Sequence, residues 1–588
     1  MPRRSTRFSF ADGEAIEDGL SDIDLLIIGG GSSGCVLASR LSEDPARRVL
    51  LLEAGDDTPD GQVPEVIASG DPEYSYFDPR FHWPQFRVHY RSLAEATASG
   101  DGGRLLEQAM VLGGGSSING QIAFRGLPQD YEEWAALGLP AWSFDKVEPY
   151  FRKLERDLDF GGLNHGKHGP IPIRRLFPDS WPSFSRACLA IMRREGRPYI
   201  EDGVGDYRDG AMPMPFSNEK DRRVSSAIGY LTAAVRARPN LEIRCRSRVE
   251  RLIFNGRQAV GVVALSGAAR QTIMAHEIIV SCGALNSPAL LMRSGIGPGG
   301  HLQEMSLETV ADLPGVGQNL QDHPETALVG HLKPEARIRP GLKRAWFLGM
   351  RYSSGHPGCA EGDMFALPIN KTAWHPLGRS LCSIIMAVHK SYSRGVVRLR
   401  APDPQSYPLV AFDMLSDERD LARLAEGMRY AYEMTRQPEV QATTNGWFLG
   451  RNDDAVRAIG QPTRANRLKT GAVAGLLDGG TLARRLLMPA LLGSERQLAE
   501  VFGDDRKLRD WVKESAWSSW HPVGTCKMGA AGDPGAVVDE QGRVRKLGGL
   551  RVIDCSVMPT IVSANTNIPA IMIAEKLADV IRNRPIPA

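Results

Sequence analysis

The chain has 588 residues, and its 71 lysines and arginines nearly balance 69 aspartates and glutamates, for a formal net charge of +2. So even a balance gives no field for a nucleic-acid or polybasic membrane role. A composition of 42% hydrophobic and 24% charged residues excludes whole-chain disorder, and the length exceeds what one hydrophobic core sustains.

Residues 1–20 read as an N-terminal extension. Arg3, Arg4 and Arg7 are followed by acidic and polar residues, without the apolar run of roughly 7–15 residues that a signal peptide needs. No window approaches the roughly 18 apolar residues of a spanning helix, so a cytoplasmic protein with no membrane span is expected. The eight cysteines are scattered without a C-x-x-C pair, which argues against a metal site or a disulfide framework.

Leu25–Ile28 is a short apolar run, as in a parallel strand covered on both faces. It enters Gly29-Gly30-Gly31-Ser32-Ser33-Gly34 and then a helical pattern. Gly29, Gly31 and Gly34 fit G-x-G-x-x-G in the context of strand, tight turn and helix, where backbone amides hold a pyrophosphate. A second apolar run, Val49–Leu52, ends at Glu53, about 20 residues on, where a ribose-binding acid belongs. An acid there favours a free 2′-hydroxyl and disfavours NADP, while FAD and NAD both remain open.

Met110–Gly120 (MVLGGGSSING), Gly283–Leu291 (GALNSPALL) with Ser294–Pro298, and His521–Gly529 with Met558-Pro559-Thr560 and Asn565–Pro569 resemble, in order, the signatures of the glucose–methanol–choline (GMC) oxidoreductases. Arg125–Tyr131 and His168–Ile173 are similar to segments of the hydroxymethylfurfural oxidase and aryl-alcohol oxidase branch. The resemblance spans nearly the whole chain. It implies an α/β (α+β overall) fold, in which a Rossmann-like FAD-binding domain carries a second domain of antiparallel sheet plus helices that covers the substrate. It also implies FAD rather than NAD, and it places Val249, in the run Ile243 to Ile253 that reads as one strand, at the adenine. The implied cofactor contacts are Gly29, Gly31, Ser32, Ser33, Gly34, Glu53, Val111, Gly114, Ser116, Asn119, Gly120, Ile122, Val249, Asp554, Asn567 and Ile568. Where some relatives carry a histidine bonded to the flavin this chain has Ile118, so FAD is expected to be non-covalent.

Alcohol oxidation needs a base for the hydroxyl proton while hydride leaves the same carbon, and a neutral imidazole suits that task. The resemblance assigns it to His521, with Asn565 as the second hydrogen-bonding residue. The other histidines, His82, His89, His323 and His389 among them, read as ordinary core or surface residues. Pro569 opens an amphipathic run to Ala578 that reads as a helix with proline in its first turn.

The expected organisation is a discontinuous FAD-binding domain of 21–180, 224–324 and 515–588, with 325–514 (181–223 contributing) as the substrate domain. Within the latter, Gly395–Arg400 reads as a strand of the antiparallel sheet, and Ser416–Thr435 as a helix burying Leu421, Leu424 and Met428. The stretch 446–493 reads as irregular, a surface loop, lid or oligomer contact, with Arg484-Arg485 as a solvated face. Gln121, Ala123, Phe365, Met386 and Trp520 are the candidate pocket residues. The expected reaction is oxidation of a primary alcohol, aromatic or furanic, with O2 or another electron acceptor. Alternatives are a dehydrogenase acting on a sugar, pyridoxine-like or aliphatic alcohol, and non-redox use as a lyase or photodecarboxylase. The oligomeric state is not legible.

Overall fold

In the computed structural model, which describes residues 23–59, 62–100, 102–339, 341–480, 484, 488–489 and 492–583, the run Leu25–Ile28 is the central strand of a five-stranded parallel sheet. The N-terminal extension, Arg485 and part of 446–493 lie outside the described residues. The strand order is Leu241–Arg244, Val49–Leu52, Leu25–Ile28, Glu277–Val280 and Leu550–Val552. Leu25–Ile28 and Val49–Leu52 are buried at every position, which is why neither alternates in polarity.

Each central strand delivers chemistry at its C-terminal end: Gly29, Glu53, Ser281 and Asp554 follow four of them, along one edge of the sheet. From that edge the chain turns into the helices Ser32–Leu41 and Gly283–Arg293. A Cβ at Gly34 would run into the Gly29 carbonyl oxygen, so only glycine lets Ser32–Leu41 lie this close to the strand. The helix Asn567–Arg582 packs against Ser32–Leu41. The fully buried Glu575 fixes that pairing, accepting from Arg40 (2.8 Å) and from the Tyr230 hydroxyl (2.7 Å). As expected, Pro569 sits in the first turn of this helix.

The second large sheet is antiparallel, in the order Thr444–Leu449, Pro324–Leu332, Leu381–Val388, Met364–Ile369, Leu348–Tyr352 and Gly210–Pro213. The short strand Trp517–Ser518 pairs with the start of Pro324–Leu332 and so hangs the segment leading to His521 on this sheet. One apolar core surrounds the parallel sheet. Another lies between the antiparallel sheet and the helices Ser183–Arg194, Glu418–Thr435, Glu495–Phe502 and Asp505–Ser515. Leu421, Leu424 and Met428 are buried in the latter, as their helical spacing predicts.

Three readings of local structure are corrected. The run Ile243 to Ile253, which reads as one strand, breaks into Leu241–Arg244 and Ser247–Asn255 because Arg246 turns with φ +54°. Gly395–Arg400 gives Val396–Arg398, which pairs with Leu409–Ala411 in a separate two-stranded ladder and not with the antiparallel sheet. The stretch 446–493 contains regular structure: the end of strand Thr444–Leu449 and the helices Asp454–Gly460 and Arg464–Asp478.

Candidate active site

A cavity of about 780 Å³ runs from the edge of the parallel sheet to the face of the antiparallel sheet. Four helix starts line it: Gly31 before Ser32–Leu41, Gly114 before the single turn Gly115–Ile118, Cys282 before Gly283–Arg293, and Thr566 before Asn567–Arg582. None of the four capping residues uses its own side chain to bond the first-turn amides. Among the described residues, and apart from the Gly283 amide, which Asp554 accepts, no side chain takes their first-turn N–H groups, and these and the positive dipole ends are left to whatever fills the cavity. Side chains at the rim are instead tied to the fold. Glu53 accepts the Gly30 and Gly55 amides (2.7 and 2.8 Å), and burial raises its pKa to about 7. Asp554 accepts the Gly283 amide (2.9 Å) and the Ser287 hydroxyl (2.6 Å). Ser32 Oγ donates to Asn567 Oδ1 (2.7 Å), which turns the Asn567 amide nitrogen away from it.

Where the two sheets face each other, His521 and Asn565 line the same cavity with Asn565 Nδ2 3.1 Å from His521 Nε2. Behind them stands His323. Its Nε2 is 3.0 Å from the Val562 carbonyl oxygen, which can only accept, so Nε2 carries the proton. The neutral ring then has a lone pair on Nδ1, and that atom lies 3.0 Å from His521 Nδ1. His521 must donate from Nδ1, which leaves Nε2 as the acceptor facing Asn565 and the cavity. Burial, with the neighbouring His323 second, holds the His521 pKa well below the usual imidazole value. The ring is therefore neutral near pH 7 and able to take a proton.

Asp322 draws the two imidazoles together through the backbone, accepting the His323 amide at 2.7 Å and the His521 amide at 3.2 Å on one oxygen. Its other oxygen accepts the Ser518 hydroxyl (2.6 Å). Trp520, beside the base, adopts φ +59°, uncommon outside glycine. The conformation is held from both ends: its amide donates to Ser518 Oγ (2.8 Å) and its indole N–H to Glu107 (3.0 Å).

Family models described as GMC oxidoreductase match residues 23–325 and 391–574. The chain is a GMC oxidoreductase. A 5-(hydroxymethyl)furfural oxidase of Methylovorus sp. (strain MP688) is 38% identical to this GMC oxidoreductase over 570 residues, covering 95% of this chain and 98% of that protein. An oxygen-dependent choline dehydrogenase of Burkholderia pseudomallei (strain 1710b) is 34% identical over 604 residues, covering 95% of this chain and 94% of that one. Among solved structures, pyridoxine 4-oxidase from Mesorbium loti superposes with a TM-score of 0.79 at 26% identity, covering 96% of this chain and all of that one. A fungal aryl-alcohol oxidase superposes with a TM-score of 0.72 at 22% identity, over 96% and 99% of the two chains.

The cleft of this GMC oxidoreductase fits the family's FAD. A Cβ at Gly115 or Gly283 would meet nothing within 4 Å, so both backbones stand open to a ligand. Gly29, Gly31, Ser32, Ser33, Glu53, Gly114, Asn119, Gly120, Ile122, Val249, Asp554 and Asn567 line the cavity. Gly34, Val111, Ser116 and Ile568 lie behind its wall, where Ser116 braces the loop by donating to the Gly113 carbonyl (2.5 Å) and accepting the Ser226 amide (2.9 Å).

Of the expected pocket residues only Trp520 lines the cavity. Met386 points to the other face of its strand, into the core against Glu418–Thr435, and its neighbour Ile385 faces the cavity instead. Phe365 shares a strand face with the lining residues Leu367 and Ile369, but its ring is stacked on His389 at 4.6 Å. Gln121, with φ +64°, bonds Ser69 O and Asn218, and Ala123 is buried in the core. His323 and Asp322 were not singled out by the sequence reading, and neither was the wall formed by Phe448, Leu449 and the helix Asp454–Gly460. The signal for His323 was a His-Pro pair like that of His521.

Proposed function

We propose that this GMC oxidoreductase oxidises a primary alcohol, aromatic or furanic, to the aldehyde, with His521 as base and Asn565 as hydrogen-bond donor to the alcohol oxygen. FAD, bound in the cleft, supplies the hydride acceptor at N5. One observation carries the reading: the hydrogen-bond order from the Val562 carbonyl through His323 to His521 leaves an imidazole lone pair on Nε2, beside Asn565, in the cavity. The alcohol proton passes to that atom. Asn565 has no titrating group, so it orients the oxygen while His521 alone exchanges the proton. An apolar wall of Leu367, Ile369, Ile385, Phe448 and Trp520 suits a flat, weakly polar alcohol, and the 38% identical furfural oxidase supports the furanic choice. Ile118, which lines the cavity, has no group to form a bond to flavin, which favours non-covalent FAD. In this reading 21–180, 224–324 and 515–588 hold the cofactor and 325–514, with 181–223, covers the substrate.

The test is anaerobic mixing of purified protein with benzylic, furanic, sugar and aliphatic alcohols while the oxidised flavin band is followed. Bleaching by the aromatic or furanic set is the expected result. If no alcohol bleaches it, hydride transfer from alcohols is the wrong chemistry. Re-oxidation by O2 or by a dye then identifies the acceptor, and acid precipitation that left flavin on the polypeptide would refute non-covalent binding.

A further inference from the structure

Arg223 is 1% exposed, yet none of its hydrogen bonds goes to a carboxylate. Nε donates to Ile67 O (2.9 Å), Nη1 to Ser116 O (3.1 Å) and Asn119 Oδ1 (2.7 Å), and Nη2 to Ser75 Oγ (3.0 Å). Among the described residues no acid lies within ion-pair distance of it. Most of the other sealed guanidiniums have an acid partner: Arg125, Arg175, Arg423 and Arg551 are paired with Glu155, Asp157, Asp363 and Glu277. Arg344 and Arg351 also bond no carboxylate, but Arg344 lies over the Phe216 ring at 4.4 Å and bonds Asn218, Arg351 bonds the Asp206 and Arg208 carbonyls, and neither bonds the loop 114–120. An unbalanced buried charge is costly, and of these guanidiniums only Arg223 bonds the loop that faces the cavity.

The guanidinium sits directly behind the cofactor loop. Gly114, Gly115, Ile118, Asn119 and Gly120 face the cavity, and Arg223 grips the back of the same turn through Ser116 O and Asn119 Oδ1. Asn119 Oδ1 also accepts the Gln121 amide (3.0 Å). With two donors on its oxygen, the Asn119 amide orientation is fixed and its N–H₂ end is the one left for the cavity.

We propose that Arg223 is a positioning and electrostatic residue of the flavin site: it turns the Asn119 N–H₂ toward the cofactor, and its unbalanced positive charge stabilises the negative charge the bound flavin gains on reduction. The inference rests on the cleft holding FAD. Burial also pulls the Arg223 pKa down, to about 9, so the charge is still present at neutral pH.

The test compares flavin midpoint potentials of the purified holoenzymes of wild type, Arg223→Lys, Arg223→Met and Ser75→Asp. Ser75→Asp gives the guanidinium a carboxylate partner on Nη2 and cancels the charge without removing the side chain. Arg223→Met and Ser75→Asp should each shift the two-electron reduction equilibrium against the reduced flavin ten-fold or more, about 30 mV, and weaken sulfite binding in parallel. Arg223→Lys should stay close to wild type. Flavin-loaded Arg223→Met or Ser75→Asp with a wild-type potential overturns the proposal, even if FAD binds more weakly, because a merely structural arginine would move affinity and not potential. If Arg223→Met fails to fold, Ser75→Asp decides alone. A wild-type protein that binds no flavin refutes the cofactor reading instead.

Discussion

The four helix starts at the cleft are built differently from five in the span 417–504. In that span, Asp417, Asp453, Thr463, Ser494 and Asp504 each accept a first-turn amide on their own side chain. Around the cleft, Gly31, Gly114, Cys282 and Thr566 do not. The first set is capped by the chain; in the second, among the described residues, only the Gly283 amide finds a side-chain acceptor, Asp554, and the rest are left for a ligand to cap. A binding site for an extended anionic cofactor can thus be recognised from where the fold declines to satisfy its own backbone.

The largest effect should come from the cleft. Gly34→Ala pushes the helix Ser32–Leu41 off the strand beneath it, and the purified protein is expected to carry no flavin by absorbance. A normal flavin content would break the account of that turn. Next, His521→Ala should lower kcat/KM by about 10²–10⁴-fold while FAD stays bound, measured by stopped-flow reduction. The two faces of one strand sharpen the contrast further. Met386→Ala should cost about 2–5 kcal/mol in denaturant unfolding without altering preference across an alcohol panel, and Ile385→Ala should alter the preference. Capping supplies a smaller effect: Asp504→Ala should lose about 1 kcal/mol of stability with FAD affinity unchanged.

The subtlest prediction concerns pH. In the proposed reaction the acid–base step needs neutral His521, whose pKa burial depresses, so protonation begins only below the ordinary imidazole value of 6.5. kcat/KM should therefore be flat from pH 6.5 up to about 9 and fall only toward acid. A midpoint above 6.5 would contradict a desolvated base. The same sign applies to stability. The native state binds fewer protons than the unfolded chain at His521, His323 and His389, the last lowered to about 3. Below pH 6.5 these groups therefore favour unfolding.

What the sequence made legible follows the same division. Gly29, Gly34 and Glu53 stand out because a close backbone approach and a strand end restrict the residue type, wherever the rest of the chain goes. His521 and Asn565 stand out only through the resemblance of their flanking segments, His521–Gly529 and Asn565–Pro569, to the family's signatures. Met386 and Ile385 could not be told apart: Leu381–Val388 is buried at nearly every position, so no alternation marks the face that meets the cavity. Phe365 was misplaced because strand parity does not report that His389 covers the ring. His323 was missed because the chain has four His-Pro pairs, at His323, His356, His375 and His521. Only Asp322, accepting the amides of His323 and His521, 198 residues apart, brings the right two together.

The hydrogen bond from Ser32 to Asn567 spans 535 residues of sequence. On a growing polypeptide the glycine turn emerges early and waits for nearly the whole message to be read before its opposite wall exists. Flavin capture is in consequence a late event of biogenesis, and the apolar strands beside that turn must be shielded during the interval, which makes synthesis rate and chaperone supply the natural limits on the yield of active enzyme.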